Sequence, residues 1–138
     1  MDLYDWLLFL HMLGAFFAVG ALTALWALIL GTRGTAPLLD PRSAMTFGRA
    51  GGILVGAGMM VALVFGIWLA IDVEAYQLWD GWILASLVLW AIGAWAGGKA
   101  GKAFESGPGG RQAGIRFQAI NSVGVLVILV LMIWKPGA

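Results

Sequence analysis

Long apolar runs alternate with short polar connections along the whole chain. The apolar runs cover residues 5–30, 50–71, 81–98 and 117–134. Between them lie "GTRGTAPLLDPRSAMTFGR", "DVEAYQLWDG" and "GKAGKAFESGPGGRQAGIR", where charged, glycine and proline residues collect. A helix that crosses the hydrocarbon layer needs about 20 mainly apolar residues, at about 1.5 Å of rise each. The first two runs meet that length, and the last two suffice if they lie close to the membrane normal. Lipid admits only helices or closed barrels, and the period-two alternation of a barrel strand is absent. The pattern therefore predicts an all-α fold, a four-helix transmembrane bundle forming one domain over residues 1–138.

Composition strengthens this reading. The chain is 62% hydrophobic and 11% charged, with a mean hydropathy of +0.94. Eight bases and seven acids cannot furnish the polar surface of a soluble domain this size. The expected partner is the lipid bilayer. A net charge of +1 with no basic patch gives no reason to expect nucleic acid. There is no cysteine, which excludes disulfides and thiolate metal sites, and a single histidine excludes any site needing two imidazoles from one chain. The first run has no base ahead of it and is about twice the length of a signal-peptide core, so it is expected to remain as the first span.

Charge placement predicts an orientation. Arg33, Arg42 and Arg49 lie in the first connection, and Lys99, Lys102, Arg111 and Arg116 lie in the third, leaving only Lys135 at the opposite side. The middle connection and the amino terminus carry acids and no base. The positive-inside bias then puts both long connections in the cytoplasm and both termini outside, in a bacterial cytoplasmic membrane. Tyr4, Trp6, Trp68, Tyr76, Trp79, Trp82 and Trp134 fall near the expected outer boundary, where amphipathic rings are best satisfied. Trp26, Trp90 and Trp95 lie deeper.

Glycine accounts for 21 residues, many at four-residue intervals. Gly48, Gly52 and Gly56 form one ladder, Gly58, Ala62 and Gly66 a second, and Gly93, Gly97 and Gly101 a third. Small residues at this spacing let a second helix backbone approach closely, so all three are expected to be packing faces. The glycine-rich third connection reads as a mobile loop. It lacks the strand–loop–helix context of a phosphate cradle.

Candidate chemistry rests on His11, which falls about 7–8 Å below the outer boundary counted from Trp6. On a helix it shares a face with Gly14, Ala15 and Ala18. A face so poor in side-chain volume is expected to turn inward, to be filled by a neighbouring helix, a second subunit or a flat ligand. Ser86 on the third span lies at similar depth and is a candidate hydrogen-bond partner; a backbone carbonyl is the alternative. His11 either ties helices together in neutral form, or uses its free nitrogen to ligate a metal or relay protons. A second polar cluster is expected toward the cytoplasmic side, where Gln118, Asn121 and Ser122 share a face and Arg49 lies at comparable depth. Arg49 is expected to reach headgroups or cap carbonyls, with an anion-binding vestibule as the functional alternative. Met59 and Met60 are expected to be core filler.

The stretches "LFLHMLGAFFAVGAL", "GRAGGILVGAGMM" and "LMIWKPG" resemble a bacterial family of small integral membrane proteins of unknown function. That family is similar to the copper-resistance-D-like membrane proteins and to the haem-dependent bacterial protoporphyrinogen oxidase. The resemblance implies a four-helix bundle in which His11 matches a first-span histidine associated with haem in the oxidase relatives; helix spacing and depth add Gly14, Ala15 and Ser86 as the candidate cofactor-binding residues near it. The chain departs from the oxidase pattern: no later span supplies a second histidine, and no lysine lies within a span. Porphyrinogen oxidation is therefore doubtful, whereas haem b could be held by His11 from two chains of a homo-oligomer, or by His11 with Met or water as the other ligand.

Three functions compete. The first is a haem- or metal-binding homo-oligomer, with His11 as the metal ligand. The second is a small channel or transporter whose path is lined by glycine faces, His11, Ser86 and Asn121. The third is a non-catalytic structural or assembly subunit of a larger membrane complex. Whether the protein is an enzyme is left open by the residues.

Overall fold

The computed structural model describes residues 2–32, 40–73, 77 and 79–135. Within these residues the chain is helical with no strand: α1 is Leu3–Gly31, α2 Pro41–Asp72, α3 Gly81–Glu105 and α4 Arg111–Trp134, with one 3-10 turn at Pro108–Gly110. All four helices are long and apolar enough to cross a membrane. Many of their large apolar side chains, among them Phe16, Ile53 and Ile133, stay exposed on the outside of the bundle, as lipid contact requires.

Three helices run past the apolar stretches that predict them. α2 begins at Pro41 instead of 50, α3 continues to Glu105 instead of 98, and α4 starts at Arg111 instead of 117. Hydropathy marks only the lipid-immersed part of a helix, whereas the backbone ladder ends where a cap or breaker stops it. At α2 that cap is Asp40, whose carboxylate accepts from Ser43 N–H at 3.1 Å with Pro41 in the first turn. The third connection, expected as a mobile loop, is thus largely helical. It reverses within Ser106–Gly110, where Gly107 adopts φ of 96°, a conformation costly for residues with a Cβ. Arg33 and Tyr76 fall outside the described residues.

Successive helices are antiparallel, and side-chain links match their ends. At the arginine-rich end, Arg111 at the start of α4 reaches the end of α1. Its terminal nitrogens donate to Ile29 O at 2.6 Å and Thr32 Oγ1 at 3.1 Å. Also at this end, Arg49 pairs with Glu105. At the acidic end, Lys135 Nζ lies 5.7 Å from the centroid of the Trp82 ring. The helices form a ring in chain order, with α1 diagonal to α3 and α2 diagonal to α4. The α1–α2 and α3–α4 seams are close, and the two seams between those hairpins are sparse.

The glycine ladders explain the close seams. A Cβ on Gly14 would fall 2.6 Å from Ala62 N and 2.8 Å from Gly58 O. One on Gly58 would fall 2.7 Å from both Ala18 N and Gly14 O. The two glycines let α1 and α2 meet backbone to backbone, which gains dispersion where no hydrophobic effect acts between spans. Ala18, Ala21, Leu22, Val55, Met59 and Val125 continue inward as the core. Within one chain the first ladder is not a packing contact beyond Gly48: Cβ atoms on Gly52 and Gly56 would meet nothing. That face of α2 is open. Likewise Gly101 is open while Gly93 and Gly97 are covered.

Candidate functional site

His11 sits in the α1–α2 seam, one turn toward the acidic end from the Gly14–Gly58 contact. Its Nδ1 lies 2.7 Å from Ala62 O, and a Cβ on Gly66 would come within 2.9 Å of both Nδ1 and Cε1. The second ladder, Gly58, Ala62 and Gly66, therefore has two tasks. Its first rung admits the backbone of α1, and its last admits the imidazole.

The hydrogen bond determines the tautomer. A carbonyl oxygen can only accept, so Nδ1 carries the proton and donates it. In the neutral ring this leaves the lone pair on Nε2. An Nδ1–H bond to a backbone carbonyl is also how many metal-ligating histidines are oriented for coordination through Nε2.

The other residues expected beside His11 are placed differently. The space next to Gly14 is filled by the α2 backbone, so of the three candidate fillers of this face it is the neighbouring helix that occupies it. Ala15 is half-buried beside it. Ser86 does not meet His11: its hydroxyl donates to Trp82 O at 2.8 Å, one turn back in its own helix. Two reasons combine. Serine in a helix readily satisfies itself on the i−4 carbonyl, and α3 lies across the diagonal from α1. Of the two expected partners for the imidazole, the backbone carbonyl is the one present.

These positions bear directly on haem. A porphyrin needs a flat space beside the iron ligand, and the Gly14–Ala18 face offers none inside one chain. Two apolar hollows lie elsewhere. One of about 590 Å³ lies between α1 and α2 around Leu25, Phe47 and Leu54, and one of about 350 Å³ lies between α3 and α4 around Leu89 and Ile120. Neither includes His11. The chain thus offers an oriented imidazole without an enclosure beside it. Among the described residues no group of three or more His, Asp or Glu side chains could hold a bare metal ion.

The polar cluster toward the arginine-rich end divides in two. Arg49 is not part of it. Its side chain is 64% exposed and its Nε donates to Glu105 at 3.2 Å, so it neither caps carbonyls nor lines a vestibule. It points to the surface because the first turns of α2 extend beyond the apolar zone. Gln118 and Asn121 are 4% and 2% exposed. Ser122 accepts from Trp26 Nε1 at 2.8 Å and gives its own proton to Gln118 O at 2.8 Å. Asn121 is seated against α3, where Cβ atoms on Gly93 and Gly97 would fall 3.1 and 3.2 Å from its Oδ1 and Nδ2.

The deep tryptophans hold the sparse seams together. Trp26 links α1 to α4 through Ser122, and Trp90 Nε1 donates to Met59 O at 3.1 Å, linking α3 to α2. Trp95 instead packs edge-on against Phe117 at 5.5 Å on the outside. Met59 is buried in the core and Met60 is exposed. Sequence reasoning missed the roles of Ala62, Gly66 and Arg111. The pairing of a large imidazole with the last rung of a small-residue ladder was the available signal for the first two. Compared with known proteins, the chain matches no family model, no curated protein and no solved structure.

Proposed function

We propose that this is an integral protein of a bacterial cytoplasmic membrane, with its arginine-bearing connections in the cytoplasm, in which His11 from each of two chains would hold a haem between them. The observation that carries the reading is the Nδ1–Ala62 O hydrogen bond, which presents Nε2 as a lone-pair donor. The likeness of "LFLHMLGAFFAVGAL" to haem-associated first-span segments supports it. The filled Gly14 face argues that the porphyrin lies outside the single bundle, against a second copy. Bound haem would supply a one-electron centre near the acidic end. The chain's own contribution is to hold the imidazole: Gly66 makes room, Ala62 O fixes the tautomer, and the Gly14–Gly58 contact fixes the spacing of the two helices.

Protein purified from haem-replete cells should show a Soret band that His11→Ala abolishes without changing the helical content. A colourless, metal-free preparation would overturn the reading.

A second reading is an assembly subunit without a ligand. It is favoured by the open face at Gly52 and Gly56, which a helix of another membrane protein could approach closely. On that reading the His11 bond is a clamp between α1 and α2, and His11→Leu would leave partner capture unchanged.

A further inference from the structure

On the outer side of the α3–α4 hairpin lies the apolar hollow of about 350 Å³, lined by Leu89, Ile92, Ile120, Val123 and Val127. Arg116, Ile120, Val123 and Val127 recur at helical spacing and form one stripe of α4. Ile92 and Lys99, two turns apart, share a stripe of α3 in the same way. Each stripe therefore runs from the hollow to a cation at the arginine-rich end.

The two cations share a depth. On one side of them the rings of Trp95 and Phe117 meet edge-on at 5.5 Å. On the other, a Cβ on Gly114 would fall 2.8 Å from the Phe104 ring. Lys99 lies between Trp95 and Phe104, and Arg116 lies between Gly114 and Phe117. Both are exposed, and among the described residues neither side chain makes a hydrogen bond or ion pair. No acid of the hairpin neutralises them: α4 contains none, and Glu105, the single acid of α3, is held by Arg49 of α2. From Arg116 to Val127 α4 rises about 16 Å, close to half of a hydrocarbon layer about 30 Å thick.

We propose that this face binds an anionic phospholipid, with Lys99 and Arg116 on the headgroup phosphate and one acyl chain along the hollow. Basic side chains between spans suit an acidic headgroup. A zwitterionic lipid brings a cation that two unpaired bases repel, and it finds no free carboxylate to receive that cation. A second copy docked symmetrically here would set the same two cations against each other. The site is separate from His11, and its test depends on neither haem nor topology.

The experiment is native mass spectrometry of the full chain in detergent, with equal amounts of dioleoyl phosphatidylglycerol and dioleoyl phosphatidylcholine, whose acyl chains are identical. Wild type should retain phosphatidylglycerol preferentially, and Lys99→Gln/Arg116→Gln should reduce that preference about tenfold. Arg42→Gln/Arg49→Gln, which removes two cations from the same end of α2, should keep it. Val123→Phe, at an exposed position in the hollow, should lower retention without disturbing the helices. Equal retention of the two lipids by wild type would overturn the proposal, as would a preference that survives loss of Lys99 and Arg116. So would unaltered retention in Val123→Phe, or displacement by glycerol phosphate alone, since the acyl chain would then contribute nothing.

Discussion

Gly66 of α2 leaves the space that the His11 ring of α1 fills: a Cβ there would stand 2.9 Å from two atoms of the imidazole. The obstacle to a larger residue is a side chain, which can swing aside, and not a backbone. Gly66→Ala is therefore expected to displace the ring and break its bond to Ala62 O, at a cost of about 1 kcal/mol. Nitrogen-15 shifts of the imidazole should report Nδ1–H in the wild type and a mixture with Nε2–H in the variant. An unchanged tautomer would separate the ring's orientation from Gly66.

The Gly14–Gly58 contact behaves differently, because each glycine faces backbone atoms that cannot yield locally. Gly58→Ala must push α1 and α2 apart and should destabilise the bundle by about 1–3 kcal/mol. Gly52→Ala, on the open face of the same helix, should be close to neutral. Unfolding measured in a mixed micelle would separate the two. Equal losses would mean that the exposed ladder is also buried, by another chain.

Arg111 closes the end of α1 by donating to Ile29 O and Thr32 Oγ1. A helix C-terminus leaves carbonyls unpaired, and a guanidinium satisfies them with favourable dipole charge. Arg111→Gln is expected to raise hydrogen exchange in the last turn of α1 and to destabilise the protein by about 1.5–3 kcal/mol. Arg49→Gln breaks an ion pair whose side chains are 64% and 48% exposed, and should cost less than about 1 kcal/mol. If the order were reversed, the sparse α1–α4 seam would not depend on the Arg111 link.

Hydrogen bonds from Ser43, its side chain foremost and its backbone N–H second, hold the Asp40 carboxyl below its ordinary value. A carboxyl with a lowered folded-state pKa contributes stability above its unfolded pKa and loses it as pH falls through the folded value. Exchange at the Ser43 amide should therefore rise on acidification through that range, beyond the intrinsic trend. Asp40→Asn keeps a capping oxygen and should remove the pH dependence. An acid response surviving in Asp40→Asn would assign it to another group.

The proposed orientation is testable because the chain has no cysteine of its own. A single cysteine at Gln77 should react with an impermeant maleimide added to intact spheroplasts, and one at Ser106 should react only after lysis. The opposite pattern would invert the topology and place His11 near the cytoplasm.

The number of spans, their helical nature and the sorting of bases to one end were all legible along the chain. Each depends on solvent: lipid demands about 20 apolar residues and internal backbone bonding, and those demands are written locally. Helix ends were less legible because caps such as Asp40 act beyond the apolar zone. The inward turn of the His11 face could be read from Gly14, Ala15 and Ala18. Its partner could not, since Ser86 and an unspecified backbone carbonyl both stood open until the ring order put α3 on the diagonal and α2 beside the ring. The same holds for Arg49 and Gln118, which share a depth in the sequence but not a neighbourhood in the bundle. Which small-residue ladder is covered, which tryptophan turns inward and which carbonyl receives the imidazole are contacts between segments far apart in the chain. Helix pairing selects them, and neither depth nor periodicity encodes it.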